Sequence, residues 1–357
     1  MDSSLYDHVP RVSIGLPVYN GERYLAETLE SLLAQSFQDF ELIISDNASV
    51  DATEAICQAF AARDHRVRYV RNDVNLGARA NFNQVFELST GEYFKWAAYD
   101  DLIEPTFISR CVQAMGEEPS AVLAFSRFKV IDAQGEVIGK QSVIDEQGMM
   151  VPGESWSSRI CGPTPHDRLR QFLANMRGWQ TIFGLIRSET LRQTRLFANY
   201  YGSDRALLME LSLHGCFVEI DEELFLHREH RQRSHYSKSW MEIIDPVRAG
   251  KTVPLFWETV LNNLRIVRVT PMTSVERIRC FAELLRRGTG RWRYWIRRLA
   301  ADLQGAEGAF IAGSFEPSVN GMAGMSGPAA WTAGGEPSRS PVSIDDMIPN
   351  RRGTAGD

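Results

Sequence analysis

The sequence predicts an α/β fold in which a mostly parallel sheet is flanked by helices. Three observations carry that prediction. Short apolar runs alternate with amphipathic stretches from Arg11 to about Phe125. Such alternation is the pattern of strands joined by crossover helices. Acids, amides and hydroxyls gather directly after the apolar runs, and in open α/β sheets ligands bind outside the carboxyl ends of the strands. A chain of 357 residues with 44% hydrophobic content can also bury a sizeable core.

The elements follow in order. Val12–Leu16 reads as a first strand, emptying into Pro17-Val18-Tyr19-Asn20. Leu25, Leu29, Leu32 and Leu33 then recur at helical spacing. The buried strand expected at Phe40–Ser45 empties into Asp46-Asn47-Ala48-Ser49. A helix follows at about 51–62, with Ser49 or Asp51 near its N-terminus. Val67–Val70 is a short strand and Ala78–Leu88 a helix. Tyr93–Ala97 is a strand emptying into Tyr99-Asp100-Asp101, and Pro105–Met115 is a helix with proline tolerated in its first turn. Ala121–Phe125 is again a strand.

Residues 127–178 contain many glycines and prolines, among them Gly135, Gly162, Pro163 and Pro165, and read as a loop-rich segment or lid. Trp179–Ile186 reads as a strand, Ser203–Leu213 as a helix, and Cys216–Ile220 and Leu224–His227 as two short strands. From about 240 to 300 the pattern is helical. Beyond Gly305, glycine, alanine, serine and proline dominate without period, which predicts a disordered tail over 305–357.

The formal net charge of −6 conceals a basic segment: residues 265–298 hold ten arginines against Glu276 and Glu283. Overall acidity argues against general nucleic-acid binding. Segment 286–298, with Trp292 and Trp295, reads either as a helix packed on the domain or as a peripheral contact with an anionic membrane; the first reading is preferred. The five cysteines have no CxxC spacing and predict buried thiols in a reducing compartment. Residues 1–10 read as a tail without a secretory signal, and the expected location is cytoplasmic, peripheral to the inner face of a membrane if 286–298 makes that contact.

Taken together, Pro17-Val18-Tyr19-Asn20, Ser45-Asp46-Asn47-Ala48-Ser49-Val50-Asp51, Asn75-Leu76-Gly77, Gly91-Glu92-Tyr93 and Tyr99-Asp100-Asp101 stand in an order that resembles the family 2 glycosyltransferases. The resemblance covers about 110 residues closely and extends loosely to about residue 235. It implies a GT-A fold over 11–236 (nucleotide-binding part 11–126, acceptor part 127–236), followed by a helical basic extension over 237–304. The implied activity is inverting transfer of a sugar from a nucleoside diphosphate donor, UDP or dTDP favoured, to the hydroxyl of a glycan or lipid-linked acceptor, in polysaccharide or cell-envelope glycan synthesis.

The same resemblance implies site residues. Pro17, Tyr19, Asn20 and Asp46 would hold the base and ribose, with Arg71, Asn75 and Arg79 near the nucleotide. Asp100 would bind the metal diphosphate, with Asp101 assisting, and the cation would be Mn²⁺ or Mg²⁺. The family's usual text is Asp-x-Asp-Asp, and Ala98 stands at its first position. Asp204, opening a helix, would be the catalytic base. In the stretch 227–236, His230 is favoured as a metal ligand and Arg228 and Arg233 as phosphate partners. The spacing does not separate His227, His230 and His235. Trp96, Trp179 and Tyr201 suit stacking on an acceptor sugar or burial in the core.

The rivals fare worse. Neither a cationic phosphate loop nor GxGxxG follows the first strand, against a nucleotidyltransferase or a dinucleotide dehydrogenase. A non-catalytic sugar-nucleotide-binding or scaffold protein on the same fold takes its support from Ala98.

Overall fold

A parallel strand buried on both faces needs an unbroken apolar run, and the first strand supplies one. In the computed structural model, every residue of β1 (Val12–Val18) is buried. Pro17 fits inside this central strand because odd-numbered residues of β1 direct their backbone toward β4 (Tyr93–Trp96), as Gly15 does in accepting from Ala97. β4 pairs with β1 only as far as Gly15, so the missing N–H of Pro17 costs no ladder bond.

The structure describes residues 8–140, 142–144, 150–152, 159–176, 180–198, 200, 202–230 and 255–290, all within the compact unit Met1–Glu316. The remaining strands of the main sheet are β2 (Phe40–Asp46), β3 (Val67–Arg71), β5 (Leu102–Ile103), β6 (Ala121–Ile131), β7 (Val137–Lys140), β10 (Leu185–Arg187) and β11 (Cys216–Arg228). Among the described residues the sheet has nine strands in the order β3-β2-β1-β4-β10-β6-β11-β5, with β7 on β6. β8 (Ser142–Ile144) and β9 (Met150–Pro152) form a separate hairpin. β1 to β4, β6 and β11 all run one way, and only β10, β5 and β7 oppose them. The carboxyl ends of six strands therefore open on one edge.

The helices are α1 (Leu25–Leu33), α2 (Thr53–Arg63), α3 (Ala78–Glu87), α4 (Phe107–Glu117), α5 (Pro165–Asn175), α6 (Ser188–Arg192), α7 (Ser203–His214), α8 (Leu255–Val269) and α9 (Ser274–Gly290). Among the described residues, none is long and apolar enough to cross a membrane.

Several expectations need correction. Among its described residues, segment 127–178 is not mainly loop: β6 continues to Ile131, and α5 begins at Pro165. Thr164 caps α5 by accepting from the Asp167 N–H at 3.2 Å, so Pro165 starts a helix where a break was expected. Of the strand expected over 179–186, the described residues form one only from Leu185, running on to Arg187. Gln180–Phe183 instead form a 3₁₀ turn, and the Phe183 carbonyl is satisfied by the buried Lys95 ammonium rather than by a ladder.

The two short strands at 216–227 are one. Register shifts between Ile220 and Phe225 let Asp221-Glu222 bulge while Glu223 stays in register with Arg127, and Asp221 pairs with the Arg127 side chain at 2.6 Å and Glu222 with Arg110. Pro105 precedes α4, which starts at Phe107. Cys161 and Cys216 form a disulfide, and only Cys57, Cys111 and Cys280 are buried thiols. The partner cysteines lie 55 residues apart and meet because Ile160 bridges Phe217. The predicted tail at 305–357 lies outside the described residues.

Candidate active site

The site is assembled on the carboxyl edge, where the turns after β1 and β2 lock together. Asn20 and Ala48 both take positive φ, 51° and 62°. The Asn20 N–H donates to Ser49 Oγ at 2.9 Å, and the Val50 N–H donates to Asn20 Oδ1 at 3.0 Å. Asn20 is thus a latch between the two turns, while Tyr19 beside it is 44% exposed. Pro17 is built into β1.

Asp46 ends β2 fully buried. Its carboxylate accepts from the Ser49 N–H at 2.9 Å, from the Tyr69 hydroxyl at 2.9 Å and from the Arg71 guanidinium. Burial, then the bond to Asp46, raises the Tyr69 pKa above its ordinary value. Arg71 also reaches the Ser49 carbonyl at 2.8 Å. The carboxylate expected to face a base is therefore turned inward, and Arg71 lies over it at the surface. Asn75 Oδ1 accepts from Asn47 and from the Gly77 N–H, both at 2.8 Å, which orders the loop entering α3. Arg79 is half-buried in the first turn of α3.

The second half of the site depends on β5. Only two residues long, it pairs antiparallel with β11, matching Leu102 to Leu226 and Ile103 to Phe225. That pairing folds Asp100 and Asp101 back onto the end of β11. Asp101 Oδ1 accepts from the Arg228 N–H at 2.9 Å and lies 3.2 Å from His227 Nδ1. Asp100 Oδ2 lies 2.9 Å from His230 Nε2, both residues being buried. The Tyr24 ring leans on His230 with centroids 4.7 Å apart. The two acidic residues are thus divided: Asp101 anchors β11, and Asp100 makes a carboxylate–imidazole pair with His230.

Arg228 departs from the expectation of a phosphate partner. Its side chain is fully buried, and it donates to Glu27 Oε2 at 2.7 Å, the Asp100 carbonyl at 2.9 Å and the Asp132 carbonyl at 3.2 Å. Its guanidinium also lies over the Tyr24 ring at 4.9 Å. A group so enclosed clamps the Asp100 turn. Trp96 is likewise core, fully buried among Phe86, Phe94 and Phe197, with its indole N–H on the Phe82 carbonyl. Arg233, His235, Trp179 and Tyr201 lie outside the described residues.

Asp204 reaches this edge through α7. Twelve residues of helix carry the chain about 18 Å, and Gly215 delivers it to the amino end of β11. The first turn of α7 therefore lies toward the carboxyl edge. Gly202, at φ 83°, makes the turn before it in a conformation that only glycine adopts without cost. Burial raises the Asp204 pKa above the ordinary carboxylate range, although its Oδ1 accepts from the Arg205 N–H at 2.8 Å. A carboxylate held this way is a stronger base.

Among the described residues no cluster of three or more His, Cys, Asp or Glu could hold a metal ion. Asp100 and His230 together offer one carboxylate oxygen and one imidazole nitrogen. A hard divalent cation completing its shell from diphosphate oxygens and water fits such a pair.

Sequence reasoning passed over the α1 contributors. Thr28 donates to the Tyr99 carbonyl at 2.8 Å and the Asp101 carbonyl at 3.0 Å, and Glu27 holds Arg228. Thr28 had a readable signal, a polar residue on the stripe of Leu25, Leu29 and Leu32. Tyr69 had one too, two residues before Arg71 and so on the same strand face.

Residues 13–179 match the family model described as Glycosyl transferase family 2. Over those residues the chain is similar to the family 2 glycosyltransferases. Glycosyltransferase GlyG of Streptococcus pneumoniae serotype 4 is 25% identical over 248 residues, which is 67% of this chain and 79% of that protein. S. aureus TarS 1–349 in complex with UDP-GlcNAc superposes with a TM-score of 0.57 at 16% identity, over 82% of this chain and 81% of that one. The mannosyltransferase PcManGT of Pyrobaculum calidifontis, in complex with GDP-Man and Mn²⁺, gives 0.51 at 14% identity, over 86% and 79%. These solved structures attest the GT-A type of fold, and the matched domain together with the curated glycosyltransferase relatives supports a glycosyltransferase enzyme.

Proposed function

We propose that this glycosyltransferase moves one sugar, with inversion, from a nucleoside diphosphate donor to a hydroxyl of a glycan or lipid-linked acceptor, in polysaccharide or cell-envelope glycan synthesis. The observation that carries the reading is the Asp100–His230 pair, which joins the ends of β4 and β11 at 2.9 Å across 130 residues of sequence. A buried carboxylate and imidazole at the carboxyl edge suit a Mn²⁺ or Mg²⁺ diphosphate. When bound there, the cation supplies charge for the departing diphosphate. TarS and PcManGT, which share the fold, were solved with UDP-GlcNAc and with GDP-Man and Mn²⁺.

UDP or dTDP is the favoured donor. The Asn20 and Asp46 turns frame the base and ribose, with Tyr19 and Arg71 at the surface, and Arg79 lies beside the diphosphate. Asp204 takes the proton of the acceptor hydroxyl. As that oxygen bonds to the anomeric carbon, the bond from that carbon to the phosphate oxygen breaks on the opposite side. General-base help of this kind is worth about 10²–10⁴-fold.

The test is nucleoside diphosphate release from UDP-, dTDP- and GDP-sugars with Mn²⁺ and candidate acceptors, with Asp100→Ala alongside. Release from one donor, abolished in the variant, is the expected result. Donor binding without release from any donor and acceptor would instead assign a non-catalytic donor-binding protein.

A further inference from the structure

Helix α9 is apolar on two faces. Its inward face packs Cys280, Phe281 and Leu284 against the core and also holds Glu276 and Glu283, the latter only 5% exposed. Its outward stripe holds Val275, Ile278, Ala282 and Leu285, spaced by three or four residues, the helical neighbour distance. Val275, Ile278 and Leu285 are 59%, 69% and 62% exposed. A helix that merely covers a domain keeps its opposite face polar or charged.

The charges are sorted in the same sense. Glu276 and Glu283 are the only acids among residues 265–298, and both point inward. Each is tied to an outward arginine three residues on: Glu276 to Arg279 at 3.0 Å, Glu283 to Arg286 at 2.6 Å. The outward face therefore presents aliphatic side chains rimmed by arginines, with no carboxylate. Aliphatic groups want cover, and the arginines set the sign of what covers them. A second copy would bring the same cations face to face, whereas an anionic bilayer offers both hydrocarbon and opposite charge.

We propose that the outward face of α9, Val275, Ile278, Leu285, Arg279 and Arg286, docks the enzyme on an anionic lipid surface. This places the contact upstream of most of the 286–298 segment that the sequence alone pointed to, of which 291–298 lies outside the described residues. The surface is built from residues other than those of the site, so it stands whatever the donor proves to be.

The experiment is flotation of the full chain with phosphatidylcholine vesicles containing or lacking phosphatidylglycerol, for the parent and for Ile278→Ser/Leu285→Ser. The parent should float with the anionic vesicles, less at high salt, and not with the neutral ones. The double variant should partition about tenfold or more weaker while its melting temperature stays that of the parent, because both side chains already face water. Failure of the parent to float, or equal flotation of the variant, would overturn the proposal. So would a parent that dimerises in light scattering and a variant that does not, since the face would then belong to a second copy.

Discussion

Replacing Arg228 by methionine separates a clamp from a phosphate ligand. The side chain keeps an apolar stem but loses the guanidinium, which lies over the Tyr24 ring and donates to Glu27, the Asp100 carbonyl and the Asp132 carbonyl at 2.7, 2.9 and 3.2 Å. Glu27 is 52% exposed and can rehydrate, so its share is small. The two carbonyls lose charged donors in a buried site, at about 1–3 kcal/mol each. Removing the buried cation returns part of that, because its own desolvation is relieved. A net loss of about 2–4 kcal/mol follows on these terms. For a domain of this size it lowers the melting temperature by about 5–15 °C. Thermal denaturation measures the loss, and calorimetric titration with UDP and Mn²⁺ measures the donor site below the transition. Destabilisation with UDP affinity within about threefold of the parent is expected, since a threefold change is well under 1 kcal/mol. A variant within about 0.5 kcal/mol of the parent, binding UDP tenfold or more weakly, would refute the clamp and return Arg228 to the diphosphate.

Asp204→Asn should lower kcat by about 10²–10⁴-fold with donor binding retained. Burial raises the Asp204 pKa, so the parent's activity should fall on acidification with a midpoint above the ordinary aspartate value; a midpoint at or below that value in kcat/KM against pH would remove Asp204 as the base. Lys95 is fully enclosed, and burial lowers its pKa from 10.5 to about 8. Between those values the folded chain holds fewer protons than the unfolded one, so the parent should gain stability on Lys95→Met as pH rises through that window; urea titrations of both at pH 7.5 and 10 check it. Thiol titration of the denatured chain should find three thiols before reduction and five after. Cys161→Ser/Cys216→Ser should cost about 2–4 kcal/mol in the same urea assay, through the loss of a long closed loop.

Much of the first half of the sheet, over residues 11–126, is legible in the chain because its signals are local. Continuous apolar runs announce doubly buried strands, and leucines at helical spacing announce α1. Asn20, Asp46 and Asp100 stand directly after such runs, so their presence at one edge follows from the strands running parallel. Where local signals misled, the competing cause was tertiary. Pro165 looked like a break and is a helix start, given its capping Thr164. The acidic Asp221-Glu222 looked like a strand end and is a bulge, because Arg127 and Arg110 lie across from it. Cys161 and Cys216 showed no recognisable spacing, since their meeting depends on the Ile160–Phe217 bridge.

What the sequence by itself determined is the resemblance to a family, the alternation of strands and helices, and the residue types along the carboxyl edge of the sheet. These depend on side-chain period and turn chemistry over a few residues. What only the tertiary structure decided is the direction each polar group faces. Asp46 turns inward onto Tyr69 and Arg71, Arg228 is spent on Glu27 and two carbonyls, and Asp100 alone of its pair meets His230. Those choices follow from which strands become neighbours. The two-residue strand β5, too short to leave any periodicity, is what lays Asp100 and Asp101 against the end of β11.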